Sequence, residues 1–262
     1  MRQYYTRPCN FYYGNRAKEL INQKKAFRLN GRSDIAFDTI EIIKRIKKKV
    51  IKSKFLNIIE IKNLNSKLSL LVRNDLKNIT CSRKKIKNLD FKNPQIMGIL
   101  NITPDSFSDG GLFYNDARAE KKIKAMIEEG ASIIDIGGES TRPGSKTLNK
   151  TVEWKRIENI ITKFKKKFPK TILSLDTRKS YVMHKGFSYN VDIVNDVSGL
   201  RFDKKSFSII KSKKKPFILH HMQGTPSTMQ KKPSYNDVLL DIFDFFESKI
   251  KICEKNNFSR DL

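Results

Sequence analysis

Two polar loops contain most of the side chains that could do chemistry. The first, 101–111, reads Asn-Ile-Thr-Pro-Asp-Ser-Phe-Ser-Asp-Gly-Gly and directly follows the apolar run 95–100. The second, 137–144, reads Gly-Gly-Glu-Ser-Thr-Arg-Pro-Gly and follows the largely apolar run 131–136. Acidic, amide, hydroxyl and guanidinium groups on a glycine-containing loop that follows a strand are typical of a substrate site at the strand's carboxyl end.

Three shorter blocks extend this pattern toward the end of the chain. They are Ser-Leu-Asp-Thr at 174–177, Ile-Val-Asn-Asp-Val-Ser-Gly at 193–199 and His-Met-Gln-Gly at 221–224. Together with the two loops they resemble the dihydropteroate synthases, the folate-pathway enzymes that join a pterin pyrophosphate to 4-aminobenzoate. The resemblance covers roughly 94–262. It implies a (β/α)8 barrel, these two substrates as partners, and Mg²⁺ as cofactor.

The fused ring of a pterin carries amino, ring-nitrogen and carbonyl groups that a carboxylate and an amide can match. The resemblance assigns this role to Asp176 and Asn195. Taken alone, Asp176 would more often cap a helix beginning near Ser180, and Asn195 would more often be a turn residue. The resemblance also points to Asp135, as a pocket residue or as structural support. It places Met222 on the pterin side, although a Met after an apolar strand is usually a core residue.

Departure of pyrophosphate leaves negative charge that cations and oriented donors can stabilise. By resemblance, Asn101 supplies a side-chain oxygen to Mg²⁺, a cation that commonly bridges phosphate to one or two protein oxygens. Thr141 and Arg142 are expected to donate to the pyrophosphate. Gly137 and Gly138 would let the backbone approach closely.

Besides binding the pterin and its pyrophosphate, the enzyme must hold 4-aminobenzoate against the pterin methylene while the carbon–oxygen bond breaks. Phe107 and Pro143 are the candidates to enclose the aromatic amine. Asp109 is the candidate to stabilise the developing cation. Phe107, Asp109 and Arg142 thus form the expected catalytic group, in a displacement for which the amine needs little activation.

The three histidines receive a different interpretation. His220 and His221 are neighbours on a predicted strand and point to opposite faces, so they cannot readily chelate one ion. One of them is expected to line the site. His184 falls on a predicted helix and is expected to be a surface or packing residue.

The elements that position these residues alternate between strand and helix, which predicts a parallel sheet with helical crossovers. The predicted strands are 95–100, 132–136, 172–175, 192–194 and 217–220; the predicted helices include 116–129, one opening at 151 and one over 236–254. The resemblance implies that these elements belong to a (β/α)8 TIM barrel over 93–262, and we expect it to be truncated after its fifth βα unit. Such a chain alone is expected to aggregate and to lack synthase activity.

Residues 1–92 are expected to form a small α+β extension. Residues 1–90 contain 23 basic and 7 acidic residues, which marks a boundary near Asp90. A turn signal between two short alternating runs predicts a hairpin at 26–37. The lysine-rich run 44–54 is expected to be a solvated helix face, with a docking surface for an acidic partner as the alternative.

Composition restricts the remaining possibilities. The net charge of +27 allows nucleic-acid binding, but the lysines are dispersed and no nucleic-acid motif accompanies them. No run approaches the ~20 apolar residues of a membrane span, and no secretory signal opens the chain. The three cysteines are widely spaced, so neither a disulfide framework nor a CxxC metal site is indicated. We expect a cytoplasmic enzyme and a possible homodimer.

Two other functions remain open. A pterin-binding methyltransferase domain shares the barrel and the pterin-gripping Asp and Asn, but the loops at 105–111 and 140–144 favour the synthase. The second alternative is a noncatalytic product of a truncated gene that binds pterin or serves in assembly. Pterin binding without turnover would identify it.

Overall fold

The computed structural model describes residues 2–64, 66–103, 116–140, 145 and 147–259, and of residues 62, 66 and 67 it describes the backbone alone. The chain divides into two compact units. The first contains Met1–Pro94 and Tyr235–Glu247, and the second contains Gln95–Ser234 and Ser248–Leu262. A domain boundary between residues 92 and 93 stays a prediction. The contacts add that the segment 235–247, distant in sequence, belongs with the first unit.

An antiparallel sheet forms the centre of the first unit. Its strands are β1 (Tyr4–Tyr13), β2 (Phe27–Arg28), β3 (Ile35–Ile46) and β4 (Lys49–Asn57), and its helices are α1 (Gly14–Asn22), α2 (Ile58–Lys62) and α3 (Ser66–Thr80). β3 pairs with all three other strands. Ile40 and Ile42 lie on one face of β3 and pack with α3, whereas Ile43 packs with Tyr5 and Leu240 in a separate cluster. Alternation along a strand places these neighbours on opposite faces.

The hairpin predicted at 26–37 is confirmed, because Phe27 pairs with Phe37 across β2 and β3. The prediction of a helix face at 44–54 is wrong. These residues form the end of β3, a two-residue turn at Lys47 and Lys48, and the start of β4. The solvent exposure predicted for the run holds for residues 46–54, which are all exposed, whereas Arg45 is buried. The β-branched residues of the run favour strand, and pairing with β3 decides its conformation.

Parallel strands form the sheet of the second unit. Its strands are β5 (Met97–Asn101), β6 (Ile133–Gly137), β7 (Ile172–Asp176), β8 (Ile193–Asp196) and β9 (Phe217–Leu219). The helices that follow them are α4 (Asp116–Glu128), α5 (Lys150–Lys167), α6 (Ser180–Ser188), α7 (Lys204–Lys213) and α8 (Val238–Lys255). The division into units assigns the start of α8 to the first unit and its end to the second.

The strands of this sheet follow one another in chain order from β5 to β9. A doubly wound sheet reverses its order at a switch point, whereas a barrel keeps chain order throughout. The fold is therefore α/β, with a five-stranded parallel sheet whose order agrees with part of a barrel. The five predicted strands are confirmed with ends shifted by a few residues, and a complete (β/α)8 barrel stays a prediction.

The sheet is buried where its central strands lie. Every residue of β6, β7 and β8 is buried, as expected for parallel strands covered on both faces. Ile134, Ile136 and Leu175 pack with Ile157 and Ile161 of α5 in the main core. Among the described residues, no helix is both long and apolar enough to cross a membrane.

Candidate functional site

Four of the predicted site positions lie side by side at the carboxyl ends of neighbouring strands. The register pairs Asn101 with Gly137, Gly137 with Asp176, and Asp176 with Asn195. Asn101, Gly137 and Asp176 are the last residues of β5, β6 and β7. Partners on one rung of a parallel sheet point to the same face. The rung therefore presents an amide, a carboxylate and a second amide together.

Gly137 makes room for two of these side chains. A Cβ added at Gly137 would lie 3.2 Å from Asp176 Oδ2 and 3.3 Å from Asn101 Oδ1. Both distances are tight for a carbon–oxygen contact, so any larger residue would push the oxygens aside. The glycine thus lets the Asn101 and Asp176 oxygens approach the same point from the two neighbouring strands.

A second polar row runs from Asp135 through Asn195 to His220. Asn195 Nδ2 donates to Asp135 Oδ2 at 2.9 Å, and His220 Nε2 lies 2.5 Å from Asn195 Oδ1. Asp135 precedes Gly137 by two residues and lies on the same face of β6. His220 directly follows β9, so the row reaches across four strands of the sheet.

Burial raises the pKa of both carboxyl groups. Asp135 is 2% exposed, and its pKa rises because burial disfavours the charged form. Asp176 is 9% exposed, and its pKa lies well above the usual value because of burial first, and then because of the negative charges of Asp135, Glu153 and Asp196. Carboxyl groups with raised pKa values that lie together at a sheet edge are typical of a functional site.

Each of these carboxyl groups keeps one oxygen for a further interaction. Among the described residues, Oδ1 of Asp135 and Oδ1 of Asp176 are buried and have no hydrogen-bond partner. Buried polar atoms are almost always hydrogen-bonded in native proteins, and an unsatisfied one costs about 1–3 kcal/mol. A ligand that brings two or more N–H donors to this edge would satisfy them.

A buried ion network lies beside this edge and consists of Glu139, Glu153, Thr177, Arg178 and Lys179. The Glu139 carboxylate accepts hydrogen bonds from both Arg178 and Lys179. Lys179 also donates to Glu153, whose other oxygen accepts from the Thr177 hydroxyl at 2.5 Å. Burial raises the pKa of Glu153 to about 7 and lowers that of Lys179 to about 8. The network joins the segment after β7 to the segment after β6 and to α5.

Gly138 permits the close approach of β6 to α5 that this network requires. A Cβ at Gly138 would lie 2.6 Å from the Glu153 carbonyl oxygen, which real structures do not tolerate. The Gly138 carbonyl accepts from Arg156 Nη1 of α5 at 3.0 Å. Gly138 thus permits close approach to a helix, and the close approach to a ligand predicted for it stays a prediction.

Comparison with known proteins agrees with this geometry. Residues 97–261 match the family described as pterin binding enzyme. The chain belongs to this family. A curated relative, the dihydropteroate synthase of Haemophilus influenzae, is 40% identical over 167 residues, which are 64% of this chain and 60% of the relative.

Solved structures of pterin-binding enzymes agree in fold as well as in sequence. The Yersinia pestis dihydropteroate synthase, solved with a sulfonamide drug, is 37% identical with a TM-score of 0.60, over 65% of this chain and 62% of that one. The Xanthomonas albilineans dihydropteroate synthase, solved with 4-aminobenzoic acid, is 33% identical with a TM-score of 0.59, over 65% and 60%. The chain spans between 56% and 61% of the length of the first curated relatives it matches.

Within this pterin-binding fold, the structure brings together Asn101, Asp135, Asp176 and Asn195. The alternative roles for two of them are wrong. The residue at the N-cap of α6 is Lys179, not Asp176, and Asn195 lies within β8 rather than in a turn. His220 lines the site as one of the two histidines was expected to do, and His184 is exposed on α6.

Other predicted site residues are not placed beside this group. Phe107, Asp109, Thr141, Arg142 and Pro143 lie outside the described residues, and their roles stay predictions. Met222 is half-buried, and its carbonyl oxygen accepts from Arg201 Nη2 at 2.5 Å. That main-chain contact leaves the role of the Met222 side chain a prediction.

The ion network was missed in the sequence. Glu153 looked like an ordinary acidic residue in the first turn of a helix, yet it is fully buried. A usable signal was present in the block Asp-Thr-Arg-Lys at 176–179, because two cations directly after a buried strand need partners. Glu139, within the glycine-rich loop, was one candidate for such a partner.

Proposed function

We propose that this chain is a dihydropteroate synthase. It condenses 6-hydroxymethyl-7,8-dihydropterin pyrophosphate with 4-aminobenzoate to give 7,8-dihydropteroate and pyrophosphate. The observation that carries the proposal is the pair of buried carboxyl oxygens on Asp135 and Asp176 that lack donors, beside the Asn195 amide at the carboxyl edge of the sheet. The 2-amino and ring N–H groups of a pterin are donors of the required kind.

In this proposal Asp176, Asn195 and Asp135 bind the pterin, and Asp135 also accepts a hydrogen bond from the Asn195 amide. A pterin donor facing Asp176 satisfies a carboxyl oxygen that is otherwise unpaired, and it favours the ionised form that burial opposes. A heterocycle without that donor would leave the oxygen unsatisfied. The site would therefore select pterins by the cost of binding the wrong ring. Met222 would contribute an apolar contact on the pterin side.

Mg²⁺ fits the oxygens gathered at Gly137. Among the described residues, no three His, Cys, Asp or Glu side chains are grouped so as to hold a metal ion by themselves. Magnesium does not require such a group, since it commonly uses one or two protein oxygens together with substrate phosphates. Asn101 Oδ1 would be the protein ligand, with Asp176 Oδ2 close to the same point. Bound Mg²⁺ would stabilise charge on the departing pyrophosphate.

The loops complete the reaction in this proposal. Arg142 and Thr141 donate to the pyrophosphate as the methylene carbon–oxygen bond breaks. The nitrogen of 4-aminobenzoate bonds to the methylene carbon and releases a proton to water. Phe107 and Pro143 enclose the aromatic amine, and Asp109 stabilises positive charge that develops on the pterin. A cytoplasmic location and a homodimer belong to the same proposal.

Two measurements on the 262-residue protein test the proposed function. The first is calorimetric titration with the pterin pyrophosphate in the presence of Mg²⁺. The second is detection of dihydropteroate after 4-aminobenzoate is added. Binding followed by product supports the synthase and overturns the expectation that this chain alone lacks activity. Asp176→Asn is the variant expected to weaken both.

The other outcomes separate the alternatives. Binding without product would favour a noncatalytic pterin-binding protein. Binding of a methylated tetrahydropterin, together with failure to bind the pterin pyrophosphate, would favour a methyltransferase domain. Absence of binding to either pterin would overturn the assignment of Asp176 and Asn195.

A further inference from the structure

His220 is a described side chain that contacts one of the proposed pterin residues and that the mechanism above does not use. Its Nε2 atom lies 2.5 Å from Asn195 Oδ1, while Asn195 Nδ2 lies 2.9 Å from Asp135 Oδ2. Both ends of the Asn195 amide are therefore engaged by neighbours from different strands. Asn195 is buried, so water does not compete freely for these bonds.

The chemistry of the three groups determines which of them donates. A carboxylate oxygen accepts, so the amide NH₂ faces Asp135 and the amide oxygen faces His220. That oxygen can only accept, which requires a proton on His220 Nε2. The neutral imidazole must then carry its proton on Nε2 and leave Nδ1 without one.

His220 has a distinct effect because Asp135 alone does not fix the amide. Burial raises the pKa of Asp135, which makes its protonated form more accessible. A protonated Asp135 can donate, and it would then accept a reversed amide whose oxygen faces β6. With the Nε2 proton in place, the reversed amide would instead set an NH₂ group against an N–H donor. His220 therefore disfavours the reversed orientation whatever the protonation state of Asp135.

We propose that His220 is a positioning residue that fixes the orientation of the Asn195 amide. It thereby determines which hydrogen-bonding group of a ligand Asn195 can pair with. With its oxygen held by His220, Asn195 offers its second amide N–H to the ligand. The ligand must place a hydrogen-bond acceptor there, such as a ring nitrogen or an exocyclic carbonyl of a pterin. The proposal rests on the proposed function for the identity of the ligand, and on the contacts alone for the orientation of the amide.

Nitrogen NMR of the 262-residue protein tests the orientation without any ligand. With ¹⁵N-labelled histidine, His220 is expected to show a protonated Nε2 and an unprotonated Nδ1 at pH 8. His220→Gln assigns the resonance by its loss, and Asn195→Ala should shift the His220 population toward the other tautomer. A parent protein with the proton on Nδ1 would overturn the proposal.

A double-mutant cycle on pterin pyrophosphate affinity tests the effect on binding. His220→Leu should weaken binding about tenfold in the parent, and less than twofold when Asn195 is already alanine. His220→Gln, which keeps an N–H donor, should recover part of the loss. His184→Leu, on the exposed face of α6, is the matched control and should leave the affinity unchanged.

The outcomes distinguish this proposal from the proposed function. If the parent does not bind the pterin pyrophosphate, the function fails and the NMR result alone decides the orientation. An equal loss for His220→Leu in both backgrounds would show that His220 acts independently of Asn195 and would overturn its positioning role. An unchanged affinity in both would do the same. Should His220→Leu fail to fold, the comparison of His220→Gln in the two backgrounds replaces it.

Discussion

Asp176 faces opposing demands from binding and from stability. Its carboxyl group is buried, lacks a partner for Oδ1 among the described residues, and has neighbouring negative charges. We expect Asp176→Asn to weaken binding of the pterin pyrophosphate by about 1–3 kcal/mol, because the amide leaves a ligand donor badly paired. Calorimetry checks this. Glu129→Gln, at an exposed acid directly after α4, is the control and should bind like the parent.

The same substitution should stabilise the protein, and the sign follows from proton linkage. The folded pKa of Asp176 is raised above its usual 3.8, so the folded state keeps a proton that the unfolded state has lost. Stability therefore falls as pH rises through the folded pKa. Asn does not ionise, so Asp176→Asn removes this pH-dependent loss of stability. In urea unfolding, the gain should be largest at pH 8 and should shrink as the pH approaches 4. A variant less stable than the parent at pH 8 would contradict this.

Asn101 should affect metal dependence separately from pterin affinity. Its Oδ1 lies near the point that Asp176 Oδ2 also approaches. We expect Asn101→Ala to raise the Mg²⁺ concentration needed for half-maximal pyrophosphate-dependent binding by about tenfold, since one protein oxygen is lost. Asn195→Ala is the matched control, because it should lower affinity without moving the Mg²⁺ midpoint. Identical Mg²⁺ dependence in Asn101→Ala and the parent would remove Asn101 from the metal site.

At the scale of single residues, the sequence predicts that Asp135, Asp176 and Asn195 lie close together more readily than it predicts their contacts. Asp135, Asp176 and Asn195 could be placed because each belongs to an apolar run or directly follows one, and parallel strands end at one edge. The hydrogen bond between Asn195 and Asp135 could not be predicted, because it joins residues 60 apart in sequence. His220 could be expected at the site, but its bond to Asn195 depends on the pairing of β8 with β9.

Between elements, the buried ion network joins β6, β7 and α5. Lys179 is 7% exposed and its two carboxylate partners are 6% and 0% exposed. Removing one partner from a buried ion group leaves charge uncompensated. We expect Lys179→Met to cost about 3–5 kcal/mol in urea unfolding. Lys124→Met removes an exposed i,i+4 pair and should cost less than about 0.5 kcal/mol. Similar losses for the two variants would show that the network does not hold these elements together.

The turn between β3 and β4 stores strain that a glycine would relieve. Lys47 and Lys48 have φ values of 47° and 67° in a two-residue turn. Such a turn requires positive φ at both positions, and Asn-Gly is the preferred sequence. We expect Lys48→Gly to stabilise the protein by about 1 kcal/mol in urea unfolding. Lys49→Gly, one residue later and within β4, is the control and should destabilise it. A loss of stability in Lys48→Gly would show that the positive φ at Lys48 does not strain the turn.

The residues of this turn also explain why the run 44–54 was wrongly predicted to be a helix face. A hairpin is usually recognised by glycine or asparagine at its turn, and neither is present at 47–48. Without that signal, a dense lysine run appears to be a solvated helix. The strands of the second unit were easier to predict, because each is a short and largely apolar run in the sequence.

On the scale of the whole molecule, a segment from late in the chain completes the first unit. Arg45 of β3 is 2% exposed and pairs with Asp241 and Asp244 at 2.9 and 2.6 Å. Asp244 also accepts a hydrogen bond from the Tyr5 hydroxyl at 2.8 Å. Burial first, and then this hydrogen bond, raise the pKa of Tyr5 to about 12. A boundary drawn from the change in charge near Asp90 could not reveal this, because composition contains no information on long-range pairing.

The double substitution Asp241→Asn and Asp244→Asn should therefore destabilise the antiparallel sheet of β1 and β3, although both changes lie about 200 residues away in sequence. Arg45 would lose both of these carboxylate partners, at a cost of about 2 kcal/mol or more; the partial exposure of the two acids reduces the full penalty for a buried pair. Hydrogen exchange measures this directly. The amides of Ile43 and Arg45 should exchange faster, with Ile134 and Ile136 of β6 as the internal reference. Glu254→Gln, on the same helix beyond the segment, is the control. If Ile43 and Arg45 kept the parent's protection in the double variant, the segment 235–247 would not be needed for the first unit's stability.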